Sequence, residues 1–192
     1  MKKTAFLFLL LLVFCTKANA DILDGTEVSV LGSYARTNNN SMDDNWQGSL
    51  RVEKSVYREF GLMGEFNYQY RADYRVGSLY GLGGLIGPTF RPKTSWPFQP
   101  YFYGTVGVYD WGFNEHQKFQ DEGITVNLEP SVAYKCGVGI EVPIDKQIVL
   151  GVEGFWFKSE IDQSQSDGGH ALGGPTIGNE QVGVSVKVGY KF

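Results

Sequence analysis

The chain is patterned with a period of two. Over residues 181–192, Val182, Val184, Val186, Val188, Tyr190 and Phe192 share one face, while Gln181, Gly183, Ser185, Lys187, Gly189 and Lys191 share the other. Successive strand side chains point to opposite faces, so this stretch predicts a strand with one apolar and one polar surface. The rhythm recurs upstream. Residues 60–72 set Phe60, Leu62, Phe66, Tyr68 and Tyr70 against Met63, Glu65, Asn67, Gln69 and Arg71. Residues 46–57 set Trp46, Leu50, Val52 and Val56 against Gln47, Ser49, Arg51, Glu53 and Ser55. Residues 125–142 form the longest expected strand, with Val132, Tyr134, Cys136, Val138, Ile140 and Val142 opposite Glu129, Lys135 and Glu141. Residues 147–158 place Ile148, Leu150, Val152 and Trp156 opposite Glu153. Three weaker segments complete a set of eight. In 26–36, Leu31 falls on the polar side; 78–90 is Gly-rich, and Pro88 marks an irregular end because proline cannot donate to a ladder. In 98–111, Phe102, Val106 and Val108 oppose Tyr101, Tyr103, Thr105 and Tyr109.

The connections are polar. Residues 37–45, 112–123 and 159–179 read as long loops, 73–77 as a short one, and 58–59, 91–97 and 143–146 as turns. Eight strands joined neighbour to neighbour predict an all-β, antiparallel up-and-down barrel, a single domain over residues 21–192. A soluble, lipocalin-like binding barrel would hide the apolar faces inside. A transmembrane barrel turns them to lipid and keeps a polar lumen.

Three features favour the membrane version. Charges of both signs lie on the polar faces: Arg51, Glu53, Glu65, Arg71, Glu129, Lys135, Glu141, Glu153 and Lys187, with Glu27 as a further acid. They are assigned to a salt-bridged lumen network, because an eight-strand barrel has room only for its own side chains and isolated buried charge is very costly. Aromatics gather at strand ends, with Trp46, Tyr70, Tyr80, Trp111 and Trp156 toward one rim and Phe60, Phe90, Phe102, Tyr190 and Phe192 toward the other. Such girdles belong at the two surfaces of a bilayer. Long connections mostly alternate with tight ones, as outer loops do with inner turns. Lys54 and Lys158 fall on the nominal lipid faces, near strand ends where long stems reach the interface.

Composition sharpens the picture. Lys2 and Lys3, an apolar run from Phe6 to Phe14 and Ala18-Asn19-Ala20 form a secretory signal peptide, residues 1–20, cleaved after Ala20. Removing it takes away Lys2, Lys3 and Lys17 and no acid, so the formal charge falls from −4 to −7 (14 bases against 21 acids). An acidic mature chain argues against nucleic acid as a partner. Only Cys136 remains, which excludes an intrachain disulfide.

The signal peptide, the strand pattern, the segment 100–108 (Pro-Tyr-Phe-Tyr-Gly-Thr-Val-Gly-Val), the segment 137–141 (Gly-Val-Gly-Ile-Glu) and the final Tyr190-Lys191-Phe192 together resemble the small eight-stranded outer-membrane barrels of Gram-negative bacteria, the OmpA, OmpX and opacity-protein superfamily. The resemblance implies an outer-membrane location, contact with lipopolysaccharide and phospholipid, and assembly by the barrel-assembly machinery reading Tyr190 and Phe192 on the last strand. It also implies a non-enzymatic role in adhesion, resistance or envelope integrity, with outer loops meeting a host or surface ligand. The family holds narrow pores and lipid-modifying enzymes as well. A pore would need small residues along the lumen, and Gly81, Gly83, Gly87, Gly137 and Gly139 keep that alternative open. The lipid A deacylase barrels carry His and Ser two apart on a late strand; here that strand reads Phe155-Trp156-Phe157-Lys158-Ser159, without His. His116 and His170 fall in expected outer loops without metal-ligand spacing. No catalytic residue, metal or cofactor is expected.

Overall fold

The structure, a computed structural model, describes residues 23–37, 44–73, 77–115, 125–161, 163–167, 170–173 and 177–192. The signal-peptide segment 1–20, His116 and parts of loops 37–45, 73–77, 112–123 and 159–179 lie outside the described residues.

Eight long strands follow the two-residue pattern: β1 (Thr26–Thr37), β2 (Asn45–Tyr57), β3 (Phe60–Asp73), β4 (Gly77–Phe90), β5 (Gln99–Glu115), β7 (Ser131–Pro143), β8 (Ile148–Ile161) and β11 (Ile177–Lys191). Three short ones, β6 (Thr125–Leu128), β9 (Gln163–Asp167) and β10 (His170–Gly173), lie between them. The long strands close into a barrel in the order β1-β11-β8-β7-β5-β4-β3-β2, every neighbour antiparallel. Closure gives each ladder a partner on both sides, which hydrocarbon demands of any spanning backbone.

The faces sort without ambiguity. Val184 and Val186 are each 63% exposed, whereas Gln181 and Lys187 on the same strand are at 0%. Leu50, Phe66, Ile86, Val106 and Ile140 all point outward, and Arg51, Glu65, Lys135, Glu141 and Glu153 are enclosed. This inverts a soluble barrel. Leu31, the apolar residue on the polar side of β1, is buried with the lumen groups. Cys136 is on the outer face.

The β2–β3, β4–β5 and β7–β8 connections, the start of β1 and the end of β11 share one end of the barrel, called near; the β1–β2, β3–β4, β5–β7 and β8–β11 connections share the other, called far. At the near end Tyr57 pairs with Phe60 across a two-residue turn, where Arg58 takes φ 50°. The β7–β8 turn is closed by the Asp145 carboxylate, which accepts the N–H groups of Gln147 (2.7 Å) and Ile148 (2.6 Å). Those bonds favour the ionised form and hold its pKa below the ordinary aspartate value.

The long strand expected over 125–142 is two elements. It breaks at Glu129 and Pro130, and β6, which still lies beside β5, ladders with β9 in a small sheet of order β10-β9-β6. Proline has no N–H to give the ladder, so the wall strand starts only at Ser131. The expected loop 159–179 accordingly contains β9 and β10 and the ends of β8 and β11. Pro88 does not end β4, which runs on to Phe90, but the ladder to β5 lapses between Ile86–Val106 and Thr89–Tyr103.

Candidate functional site

The lumen is filled in three layers. Parity places the side chains: inward residues of β2, β3, β5, β7, β8 and β11 come from alternate positions, and register brings them to matching heights.

The central layer is built on Arg51 of β2. Its Nη2 donates to Glu65 Oε2 at 2.7 Å, and its Nη1 and Nη2 donate to Glu153 Oε2 and Oε1 at 2.7 and 2.9 Å. Lys135 Nζ lies 2.6 Å from the other oxygen of Glu65. The hydroxyls of Tyr101 and Tyr103 donate to the two oxygens of Glu153 at 2.8 and 2.9 Å. Arg51 also lies over the Tyr103 ring, 4.7 Å from its centroid, and Lys135 lies 4.6 Å from that of Phe155. Two bases meet two acids, and both pairs are fully enclosed. Charge-assisted bonds of this geometry offset desolvation that neither sign could bear alone.

The near-end layer is built on Arg91, which follows β4. Its guanidinium donates to both oxygens of Glu53 (2.5 and 2.7 Å) and both of Glu141 (2.6 and 3.0 Å). Glu53 is on β2 and Glu141 on β7, which stand opposite each other in the ring, so Arg91 bridges the barrel across its width. Lys187 Nζ lies 2.5 Å from Glu27 and also bonds Glu141, and Lys191 lies 3.7 Å from each of those two acids. The three acids thus meet three bases. Arg91 and Lys187 each sit 5.0 Å from the centroid of Tyr101, whose ring separates the two ionic layers.

The far layer is neutral amides and rings. Gln181 Nε2 donates to Gln69 and Asn179, its Oε1 accepts from Asn45 and Gln47, and Gln69 donates to the Tyr109 hydroxyl at 3.1 Å. Tyr109 packs on Trp111 and Phe157, with ring centroids 5.4 and 5.0 Å away. Arg71 caps the layer, donating to Thr37 Oγ1 at 2.7 Å.

The lumen glycines give no channel. A Cβ at Gly83 would lie 2.3 Å from the Tyr109 ring, and one at Gly81 2.5 Å from Trp111; Gly137 and Gly139 would meet Tyr103 and Tyr101 at 2.6 and 2.4 Å. Each of these glycines is the ladder partner of the ring that covers it. Gly87 is packed against the backbone of Gly104 instead.

Of the nine expected lumen residues, Arg51, Glu53, Glu65, Arg71, Lys135, Glu141, Glu153 and Lys187 lie inside. Glu129 does not: it sits in the break before β7 and is exposed. Trp111, expected in a girdle, points into the lumen at 5% exposure and donates Nε1–H to Ser131 Oγ at 3.1 Å. Trp46, Tyr70 and Tyr80 form one outer row in register at the far rim, and Phe60, Phe90 and Phe102 another at the near rim. Trp156 is also outward and donates to Glu180 at 2.8 Å. Tyr190 and Phe192 stack edge to face at the near rim, 4.9 Å apart. Lys54 donates to the carbonyl of Asp24. The residue missed altogether was Arg91, although it continues the inward parity of Leu85 and Thr89 on β4.

Chemistry that would need a nucleophile and a base has no such arrangement in these layers, whose carboxylates are all engaged by cations. Among the described residues no group of three His, Cys, Asp or Glu side chains is placed to hold a metal ion. His170 lies on β10, outside the barrel.

No protein-family model matches the sequence, and no curated protein matches it. Solved structures do match the fold. The outer membrane protein OprG of Pseudomonas aeruginosa aligns with a TM-score of 0.64 and 14% identity, over 88% of this chain and 96% of that one. Neisserial surface protein A aligns at 0.62 and 10% identity, over 88% and 98%. The outer membrane enzyme PagL aligns at 0.52 and 15% identity, over 84% and 97%. The chain has the fold of the small eight-stranded outer-membrane β-barrels, with an apolar exterior and a polar lumen. That fold houses an enzyme as well as surface proteins, and therefore fixes no activity.

Proposed function

We propose that the chain is exported by a cleaved signal peptide over residues 1–20 and spans the outer membrane of a Gram-negative bacterium. There it is a non-enzymatic, closed scaffold whose far-end segments meet partners outside the cell. Tyr190 and Phe192 of β11 are proposed as the signal read by the barrel-assembly machinery, with lipopolysaccharide and phospholipid as the surrounding lipid.

The observation that carries this reading is the filled lumen. Its charges are matched within each ionic layer and Gly81, Gly83, Gly137 and Gly139 are covered by rings, which supports the far end as the place for recognition. A rigid wall presenting longer connections is the usual division of labour between scaffold and binding surface.

The test compares bacteria carrying the full chain, no chain, or a chain with 162–176 replaced by a short turn. Attachment to epithelial cells, survival in serum and detergent sensitivity are scored, and lipid A is analysed by mass spectrometry. The reading expects a surface phenotype lost equally in the last two strains, with lipid A masses identical in all three. A mass change dependent on the full chain would assign it enzymatic work. A phenotype indifferent to the trimmed loop would move function into the wall.

A further inference from the structure

The lipid-facing wall carries a groove across β2 to β5. Bulky side chains stand along that face, but Gly64 of β3 and Gly84 of β4 are exposed, and a Cβ on either would meet nothing within 4 Å. The two lie diagonally beside each other, since Gly64 pairs with Ile86 and Gly84 with Phe66. Leu50 and Val52 form one bank and Val106 and Val108 the other, around an open space of about 560 Å³. Gly64 is four residues along β3 from Phe60 of the near-rim row, about 13 Å of strand. Half the hydrocarbon thickness is roughly 15 Å. The groove therefore lies within reach of an acyl chain whose headgroup sits at the near rim.

That rim is cationic on the same side of the barrel. Arg58 in the β2–β3 turn is exposed, its guanidinium 5.0 Å from the centroid of the Tyr57 ring. The β4–β5 connection is tied to this turn, because the Arg91 N–H donates to the Glu59 carbonyl at 2.7 Å. It carries Lys93, whose side chain is 81% exposed and lies 3.6 Å from Glu59. With Lys54 and Asp24 also at this end, three bases stand against two acids. We propose that groove and rim together hold one phospholipid with an anionic headgroup. Arg58 and Lys93 bind its phosphate, and one acyl chain lies along β3 over Gly64 and Gly84, where the missing side chains let it touch the wall closely. The inference rests on the near end lying in the phospholipid leaflet, the orientation proposed above, and names a specific lipid for the wall.

The test reconstitutes the barrel in vesicles of phosphatidylglycerol, phosphatidylcholine and lipopolysaccharide, extracts it in mild detergent and weighs it by native mass spectrometry. One retained phosphatidylglycerol per barrel is expected. Gly64→Leu combined with Gly84→Leu fills the groove from outside and should keep the heat-dependent gel mobility. It should cut retention about tenfold, equivalent to about two buried methylenes. Gly154→Leu, at another glycine whose Cβ would meet nothing within 4 Å, lies on β8 away from the groove and should change nothing. Arg58→Asn, which suits the positive φ of the turn, combined with Lys93→Gln should lower the preference for phosphatidylglycerol over phosphatidylcholine about fivefold per cation. Retention unaffected by filling the groove, lost equally in Gly154→Leu, or indifferent to the headgroup overturns the proposal. A two-chain mass that disappears in the filled variant also overturns it, and makes the groove a self-association face. Preferential retention of lipopolysaccharide would overturn it together with the orientation of the near end; the other failures leave that orientation standing.

Discussion

Arg51 is the side chain on which the central layer of the lumen is built. It holds Glu65 and Glu153 at once, with no water-facing alternative for either acid. Arg51→Met keeps the bulk and removes the charge. The loss should cost about 3–5 kcal/mol, because a buried acid is left under-compensated, and should appear as a lower urea midpoint for the lipid-embedded barrel. An unchanged midpoint would mean that the pairs contribute little. Gly83→Ala and Gly84→Ala make a second test. The first drives a methyl into the Tyr109 ring, while the second points outward with nothing within 4 Å. The inward change should cost about 1–3 kcal/mol and the outward one should leave stability unaltered in the same unfolding measurement. At the near-end turn, Asp145 has a depressed pKa, so its hold on Gln147 and Ile148 is complete at neutral pH. It is lost as pH falls through that depressed value. Amide exchange at these two residues should quicken on acidification, and Asp145→Asn should show the faster exchange already at neutral pH.

The strands themselves were legible because one rule, alternation, governs every residue of an element buried on one face and bathed in lipid on the other. The lapses have local causes. Trp111 is expected in a girdle from its ring type, yet it shares parity with Tyr109, and parity decides its place. Glu129 and the expected 125–142 strand differ from the structure because alternation alone cannot see that Pro130 denies the ladder a donor. Arg91 falls in an expected turn because the expected strand ends at Phe90, one residue before the next inward position. The same rule gives a prediction for β11. Val184 is central in its strand and faces outward, so Val184→Arg should cost about 2–4 kcal/mol in the bilayer and reduce the folded, heat-shifted band. Val132→Arg lies near the far end of β7 and should cost less. Equal tolerance of both would contradict the assignment of this face to lipid.

For the whole molecule, the question is whether the barrel is a passage. Ions crossing it would have to pass an Arg91 clamp held from opposite walls, the Tyr101 ring beneath it, the Arg51–Glu65–Glu153 layer and then the amides around Gln181. None of these is a wide ring of like charge such as selects ions in a pore, and of the glycines that could have made space Gly81, Gly83, Gly137 and Gly139 are roofed by tyrosine and tryptophan, while Gly87 packs against the backbone of Gly104. The purified barrel in planar bilayers should therefore show no resolved conductance steps. Arg91→Ala should stay silent too, because it opens only the near-end layer and leaves Tyr101 bonded to Glu153. Combining it with Tyr101→Ala and Arg51→Ala removes two layers, and any leak that appears should scale with the number removed. Discrete, ion-selective steps from the unaltered protein would show that the three layers rearrange in the membrane, and would replace a closed scaffold with a channel.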